Sequence, residues 1–303
     1  MYRLLLASDG RVYGVAEFGG SPDFAGTIYR IDPDGSNFVV LHAFGAAGGP
    51  LQPSSPLIEA SDGMFYGTSF FGGFGEGTVY RMTPGGEVTV LHAFAAGRRE
   101  GSLPNAVVQA TDGAFYGTSQ FGGARDDGTF YRIGKDGRFK LLHDFDASSG
   151  TPPTGAFVQA ADGAFFGAAF GDGPRGQGTI YRIESDGTLT VMHAFGNEAG
   201  EGRHPIGLMQ APDGMFFGTT LSGGAEQGDG NGTLYRMNAL GEFRTLRKFV
   251  NFYGGVNPQD NALALGPDGL LYGTCLYGGH HHKKNSQGGM GTVFRILPGK
   301  AGR

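Results

Sequence analysis

One unit of about fifty residues is written six times along this chain of 303 residues, and this repetition limits the possible folds more than any other feature. Each unit contains an Asp-Gly that is followed, after one residue, by an aromatic or aliphatic pair and a further Gly. A second signature, Gly-Thr-apolar-aromatic-Arg, follows within 15 to 23 residues. A third, apolar-His-x-Phe, ends the first four units, and Arg247 replaces its His in the fifth. The Asp-Gly pairs begin at Asp9, Asp62, Asp112, Asp162, Asp213 and Asp268.

The second unit divides into four short segments, 56–60, 64–69, 78–82 and 88–94, all rich in β-branched and aromatic residues. Asp62-Gly63 and Pro84-Gly85-Gly86 lie where tight turns are needed. Four antiparallel strands per unit, repeated six times, predict an all-β, six-bladed β-propeller with one domain over residues 1–303. The units run approximately 1–49, 50–99, 100–150, 151–200, 201–255 and 256–303, the last being incomplete.

The sixth unit carries a third strand at Gly291 to Leu297, and Arg303 comes just past the next turn. We therefore expect the last blade to lack its outer strand and the sequence to be a fragment. A propeller closed with one short blade is the alternative.

The strings FYGTSFFGG and GTVYRMTPGGEVTVLHAF of the second unit resemble the GloVer tandem repeat of bacterial choice-of-anchor propellers. The resemblance covers essentially the whole chain. It implies a propeller, often exported to the cell surface or secreted and carrying a sorting signal, but it brings no catalytic residues and no ligand. This chain shows neither a signal peptide nor an anchor, which the fragment hypothesis explains.

The charge and composition of the chain limit the classes of partner that it can bind. The net charge is −5 and no basic stripe occurs, which argues against nucleic acid. Apolar runs are too short for a membrane helix, and the single Cys275 excludes an internal disulfide. We expect a monomer without cofactors whose partner is a protein or a polysaccharide.

Residues that recur in every unit are interpreted as scaffold, and residues that break the pattern as candidate sites. The recurring Arg residues of the second signature are expected to make strand-edge or inter-blade hydrogen bonds. The recurring His residues lie on the outer strands, away from a central pocket, and Cys275 occupies a small-residue packing slot. The Asp of each Asp-Gly is a turn residue.

Pattern-breaking residues are concentrated in loops predicted to emerge on one face. The catalytic candidates among them are Arg99, Arg125, Arg203, His204 and Tyr253. The ligand-binding candidates are a polar slot on the first strands, predicted to face a central channel, and two loop residues: Glu59, Gln109, Gln159, Gln210, Asn257 and Asp260. No metal site is predicted, since the triplet His280, His281 and His282 lacks ligand spacing. Solvated loops and a water-filled tunnel are the simpler interpretation.

Three functions are compatible with the sequence. The first is a non-catalytic binding or surface-display module of exported type. The second is a carbohydrate-binding propeller, although Trp is absent and most Tyr residues fill strand slots. The third is a polysaccharide-acting enzyme such as a uronate lyase, which needs an Arg to neutralise a carboxylate and a His or Tyr to move protons. Loop residues of any such site should be replaceable at little cost in stability.

Overall fold

The computed structural model describes residues 4–20, 24–45, 49–95, 97–198, 200–225, 230–249, 255–258, 263–278 and 291–297. The chain divides into two compact units, Met1–Asp146 and Ala147–Arg303. Each unit contains three small antiparallel sheets, and each sheet is one blade.

The first unit holds blades one to three. In blades one and three the four strands follow one another across the sheet. In blade two the first strand is split into β5 and β6, which both pair with β7. The strands are β1 (Leu5–Leu6), β2 (Val12–Ala16), β3 (Thr27–Ile31), β4 (Val39–Ala43), β5 (Pro50–Pro53), β6 (Ile58–Glu59), β7 (Phe65–Gly72), β8 (Thr78–Met82), β9 (Val88–Ala93), β10 (Ser102–Gln109), β11 (Phe115–Phe121), β12 (Thr129–Ile133) and β13 (Phe139–Asp144).

The second unit holds blades four to six. Blades four and five are complete, and in blade six the split strand β22 and β23 pairs with β24. The strands are β14 (Thr151–Gln159), β15 (Phe165–Gly171), β16 (Thr179–Ile183), β17 (Leu189–Ala194), β18 (Gly202–Gln210), β19 (Phe216–Gly223), β20 (Thr233–Met237), β21 (Phe243–Lys248), β22 (Val256–Pro258), β23 (Ala264–Leu265), β24 (Leu271–Tyr277) and β25 (Thr292–Ile296).

The fold is an all-β six-bladed β-propeller, as the repeats predict, and the described residues contain no helix. No segment of those residues therefore offers an apolar helix that could cross the bilayer. Strand β25 is the last strand of the sixth blade among the described residues, and the expected lack of an outer strand stays a prediction because residues 298–303 lie outside them.

The first strands differ from the prediction because they begin earlier. We expected about five residues, but β10, β14 and β18 have eight or nine. Each bends where its register with the next strand shifts, for example between Pro104 and Val107 in β10. The proline before the bend hid the first half of the strand from sequence analysis, since proline is usually confined to strand edges and bulges.

The glycine of the Gly-Thr signature is required where neighbouring blades meet. Gly77 has a φ of +100°, and a Cβ there would lie 2.5 Å from Cδ of Pro104 in the following blade. Just beside this contact, the N–H of Leu103 donates to the carbonyl of Glu76. The signature therefore marks a point at which one blade is joined to the next.

Aromatic side chains fill the space between blades. Tyr80 is fully buried and covers Gly67 of the neighbouring strand so closely that a Cβ there would overlap its ring. One apolar core joins blades one and two through residues such as Phe44, Phe65 and Tyr80, and a separate core joins blades four and five. The recurring strand residues are therefore packing residues, as predicted.

The Asp of Asp-Gly and the recurring Arg form contacts inside one blade. Asp112 accepts from the backbone of Ala114 at 2.9 Å and from the Tyr116 hydroxyl at 3.2 Å. The Arg132 guanidinium lies 3.1 Å from the same carboxylate. Burial tends to raise the pKa of Asp112, but these hydrogen bonds outweigh it and hold the pKa below its usual value. The turn role of these aspartates is confirmed.

Candidate functional site

A pocket of ≈ 390 Å³ lies between blades four and five, at their outer strands. Strand β17 contributes His193 and strand β21 contributes Phe243, Arg244, Thr245 and Lys248. The connection from β17 to β18 supplies the remaining lining residues, Asn197, Glu198, Gly200 and Glu201. We call this the blade 4–5 pocket.

Glu201 holds the connection in place. Its Oε2 accepts from the backbone N–H of Gly196 at 2.8 Å and of Asn197 at 2.9 Å. Its Oε1 lies 2.7 Å from Nε2 of His193. The Glu201 side chain is only 6% exposed, so both oxygens are committed to these contacts. The carboxylate forms one wall of the pocket.

The electrostatic setting keeps this carboxylate ionised. Burial acts to raise the pKa of Glu201, but the hydrogen bond and charge of His193 and the two backbone N–H groups outweigh it. The pKa is therefore lowered from its ordinary value. A general base must take up a proton near neutral pH, so this arrangement suits a structural anchor rather than a proton carrier.

The imidazole of His193 is held between two aromatic rings. It stacks on Phe243 with centroids 3.8 Å apart and an interplanar angle of 6°, and it meets the edge of Phe195 at 4.9 Å. Phe243 in turn packs against Tyr235 of its own blade. The His193 side chain is therefore held by two aromatic contacts and by its contact with Glu201.

Strand β21 makes this pocket unlike its counterparts. Arg244 pairs across the sheet with Arg236, a slot that holds Val39, Thr89, Lys140 and Thr190 in the other complete blades. Lys248 takes a slot that holds Ala43, Ala93, Asp144 and Ala194. Both side chains are exposed, and neither forms an ion pair within the part of the chain that is described. The lining of the pocket therefore combines two exposed cations with the carboxylates of Glu198 and Glu201.

Blades two and three repeat the geometry with one cation only, because Lys140 holds the slot of Arg244. His92 stacks on Phe139 at 4.3 Å, and its Nε2 lies 3.2 Å from a carboxylate oxygen of Glu100. Burial lowers the pKa of His92 more than Glu100 raises it. Asp144 stands where blade five has Lys248, so the local charge is reversed.

Two predicted site residues lie in a strand rather than in a loop, which corrects the sequence interpretation. Arg203 and His204 belong to β18, and both are half-buried. The His204 ring stacks on Phe170 at 4.7 Å, and its Nδ1 lies 2.8 Å from the Ser222 hydroxyl. Its backbone N–H donates to Gln177, and its φ is +57°. Replacing His204 should therefore cost stability, contrary to the expectation for a loop.

The other catalytic candidates occupy ordinary surface positions. Arg99 is exposed in the turn before β10, and Arg125 is exposed and lies 3.5 Å from Asp146. Tyr253 lies outside the described residues. Arg203 and His204 are brought together only as chain neighbours, so a catalytic role for the candidates stays a prediction.

The polar slot of the first strands joins turns and blades. Gln109 donates to the carbonyl of Gly113 at 3.1 Å and accepts from the N–H of Ser61 in blade two at 2.8 Å. Glu59 likewise accepts from the N–H of Ser8 in blade one at 2.7 Å. Gln159 and Gln210 donate to the turns that follow their own strands, at Gly163 and Gly214.

These hydrogen bonds connect the first strands to their own turns and to the preceding blade. The ligand-binding role of the slot stays a prediction. Asn257 lies in β22, where its N–H donates to Asn231 of blade five. Asp260 and the triplet of His280, His281 and His282 lie outside the described residues. The residues that are described hold no group of three His, Cys, Asp or Glu side chains suited to a metal ion.

Sequence reasoning missed the blade 4–5 pocket because it assigned the recurring His residues to the scaffold. The signal was present in the fifth unit, where three basic residues, Arg244, Arg247 and Lys248, replace the usual ending. Only Arg247 was noted as a departure. A comparison of all outer strands by charge would have singled out β21.

Comparisons with known proteins agree with the fold. A gluconolactonase from Xanthomonas campestris is 16% identical over 90% of this chain and 79% of its own, with a TM-score of 0.54. A protein of unknown function from Bacteroides caccae is 15% identical over 94% and 89%, with a TM-score of 0.55. A putative TolB from Agrobacterium tumefaciens is 15% identical over 78% and 81%, with a TM-score of 0.51. At these identities the likeness concerns the fold alone.

A search of curated proteins by sequence found no match. The family model described as the Gloeobacter/Verrucomicrobia repeat, by contrast, matches residues 1–204, which is more than half of the chain. This agrees with the resemblance drawn from the repeated motifs. The chain therefore belongs to the Gloeobacter/Verrucomicrobia repeat family.

Proposed function

We propose that this propeller is a non-catalytic binding module for an acidic saccharide, and that the ligand binds in the blade 4–5 pocket. The observation that supports the proposal is the pair of exposed cations, Arg244 and Lys248, in the lining of the blade 4–5 pocket. A guanidinium and an ammonium suit carboxylate groups, which uronic acids present along a polymer.

The remaining lining residues fit the hydroxyl groups of a sugar. Asn197 and Glu198 are exposed lining residues, and Thr245 is a half-buried one. Together they offer both donors and acceptors. Glu201 is already committed to His193 and to the backbone, which favours binding over proton transfer.

The test is equilibrium binding of defined oligouronates, measured by calorimetry, with neutral oligosaccharides of equal length as the reference. We expect the double variant Arg244→Ala/Lys248→Ala to weaken oligouronate binding at least tenfold, and added salt to weaken the wild type. Lys140→Ala is the matched control, because Lys140 holds the slot of Arg244 in blade three. Equal affinity of wild type and double variant would refute the proposal.

The same samples separate binding from catalysis. Incubation with uronic polymers should produce no rise in ultraviolet absorbance and no shortening of the polymer. A rise that Arg203→Ala or His204→Ala abolishes would instead establish a lyase and replace this proposal.

We further propose that the module acts outside the cell, as the family resemblance implies. Fractionation of cells that express the complete gene, followed by immunodetection, should place the protein at the surface or in the medium. Retention in the cytoplasm would contradict this.

A further inference from the structure

An exposed phenylalanine recurs at the same slot in the three blades of the first unit. The ninth residue after the Asp of Asp-Gly is Phe18 in blade one, Phe71 in blade two and Phe121 in blade three. These side chains are 61%, 44% and 38% exposed, whereas a recurring strand residue such as Tyr80 is fully buried. The slot therefore repeats an aromatic ring that the scaffold leaves open to solvent.

Two more phenylalanines lie on the connections between second and third strands. Phe74 is 70% exposed in the turn between β7 and β8. Phe24 is 69% exposed and has a φ of +51°, which bulky side chains rarely adopt, whereas blade two has Gly75 in the same slot. Neither burial nor backbone preference explains a phenylalanine at that position.

The five side chains form a large apolar surface, which we call the aromatic face: Phe18, Phe24, Phe71, Phe74 and Phe121. Together they leave roughly 560 Å² open to solvent, given the usual surface of a phenylalanine. An exposed apolar patch of this size is among the larger ones on monomeric proteins, and such patches often bind a ligand.

Hydrogen bonds between blades one and two bring their rings together. The N–H of Gln52 donates to the carbonyl of Ala25 at 2.8 Å, and Ala25 directly follows Phe24. Leu51, which precedes Gln52, pairs across the sheet with Phe71. Phe24 and Phe71 therefore flank one blade junction.

Blades two and three are joined in the same way. Ser102 pairs across the sheet with Phe121, and its hydroxyl donates to Glu76 at 2.6 Å. Glu76 is two residues after Phe74. The aromatic face is thus continuous over the three blades of the first unit.

Charges between these rings are already paired. Arg98 lies 3.1 Å from the carboxylate of Glu76 and 3.5 Å from that of Asp126. Because two carboxylates neutralise this guanidinium, it offers an anionic ligand no net attraction. The Gln52 amide makes no hydrogen bond within the described residues, so its donors and acceptor are open to a polar, uncharged ligand.

We propose that the aromatic face binds a neutral linear polysaccharide, whose successive sugar rings place their apolar faces on the phenylalanine side chains. A ring repeated in each successive blade suits a ligand that is itself a repeating polymer. Burial of the apolar sugar faces supplies affinity, and the Gln52 amide pairs with hydroxyl groups. Phenylalanine thus provides the rings for which the sequence analysis considered only Trp and Tyr.

The probes are cellohexaose and mannohexaose, two neutral β-1,4-linked hexasaccharides, titrated into the whole chain by calorimetry. At least one of them should bind saturably. Its affinity should not change with added salt, because neither probe is charged. The oligouronate of the blade 4–5 pocket, by contrast, should bind more weakly in salt.

Variants of blade two locate the contact. Phe71→Ala/Phe74→Ala should weaken hexasaccharide binding at least about tenfold, since buried aromatic contacts dominate binding energy. Phe74→Ala alone should weaken it at least about threefold with an unchanged melting temperature, because the side chain is exposed. Phe38→Ala is the matched control: Phe38 is 58% exposed in the same unit but precedes β4, outside the aromatic face.

Three results would overturn the proposal. Neither hexasaccharide binds, binding survives Phe71→Ala/Phe74→Ala, or sedimentation shows that two copies of the wild type associate and that this double variant does not. The last result would assign the aromatic face to a second copy of the chain. Oligouronate binding by the same double variant should equal that of the wild type, so failure here is distinguishable from failure of the blade 4–5 pocket.

Discussion

Replacement of Glu201 by Ala tests whether the wall of the blade 4–5 pocket is an anchor. The change removes one buried carboxylate that contacts His193 and two backbone N–H groups. Hydrogen bonds to charged groups contribute about 1.5–3 kcal/mol each, but three that share one side chain are not additive. We expect the free energy of unfolding to fall by about 3 kcal/mol.

The assay is urea unfolding at neutral pH, with Glu100→Ala as the control. Glu100 holds the same place eight residues after a recurring His, but its side chain is 38% exposed and lies 3.2 Å from His92. Solvent screens a carboxylate that is this exposed, so its contact with His92 contributes less, about 0–1 kcal/mol. If both variants lose equal stability, the buried Glu201 carboxylate does not stabilise the fold more than the exposed one of Glu100, and the anchor role is refuted.

The dependence on pH follows from the lowered pKa of Glu201. A carboxyl group whose pKa is lower in the folded than in the unfolded state stabilises the folded protein. This stabilisation is complete when the pH is above the pKa of the unfolded state. That stability is lost as the pH falls through the lowered pKa. The difference between wild type and Glu201→Ala should therefore shrink in acid. A difference that is constant with pH would contradict the ionised state.

Two further predictions concern the scaffold. Gly77→Ala should lower the free energy of unfolding by at least about 2 kcal/mol, because a φ of +100° is combined with an overlap between the new Cβ and Pro104. Gly75 is the control, since its φ is +98° and nothing lies within 4 Å of a Cβ there. Gly75→Ala should cost about 1–2 kcal/mol. Tyr80→Ala should cost about 3–5 kcal/mol because the ring is fully buried. Thermal and urea unfolding measure both, and equal losses for the two glycines or a neutral Tyr80→Ala would contradict the packing described.

The repeats were sufficient to predict the propeller because each signature has one physical meaning in every blade. Asp112 forms a turn and Tyr131 fills the space between blades. The second and third strands fall close to the segments that are rich in β-branched and aromatic residues. The first strands were underestimated because prolines at a bend resemble a loop in the sequence. Proline there keeps an extended backbone while leaving the ladder irregular.

The pocket could not be predicted with the same success, because it depends on side chains from two units of the repeat. His193 and Glu201 are only eight residues apart, but Phe243 and Lys248 come from the next blade. Charge on β21 was visible in the sequence, whereas the cavity that it lines was not. Likewise, His204 was taken for a loop residue because its stacking on Phe170 is a tertiary contact.

The most direct test of the proposed function is a crystal structure of the chain with a short oligouronate. We expect electron density for the sugar between β17 and β21, with its carboxylates beside Arg244 and Lys248. Density for the sugar beside Arg203 and His204, or along the Gln109 slot, would contradict the blade 4–5 pocket as the binding site.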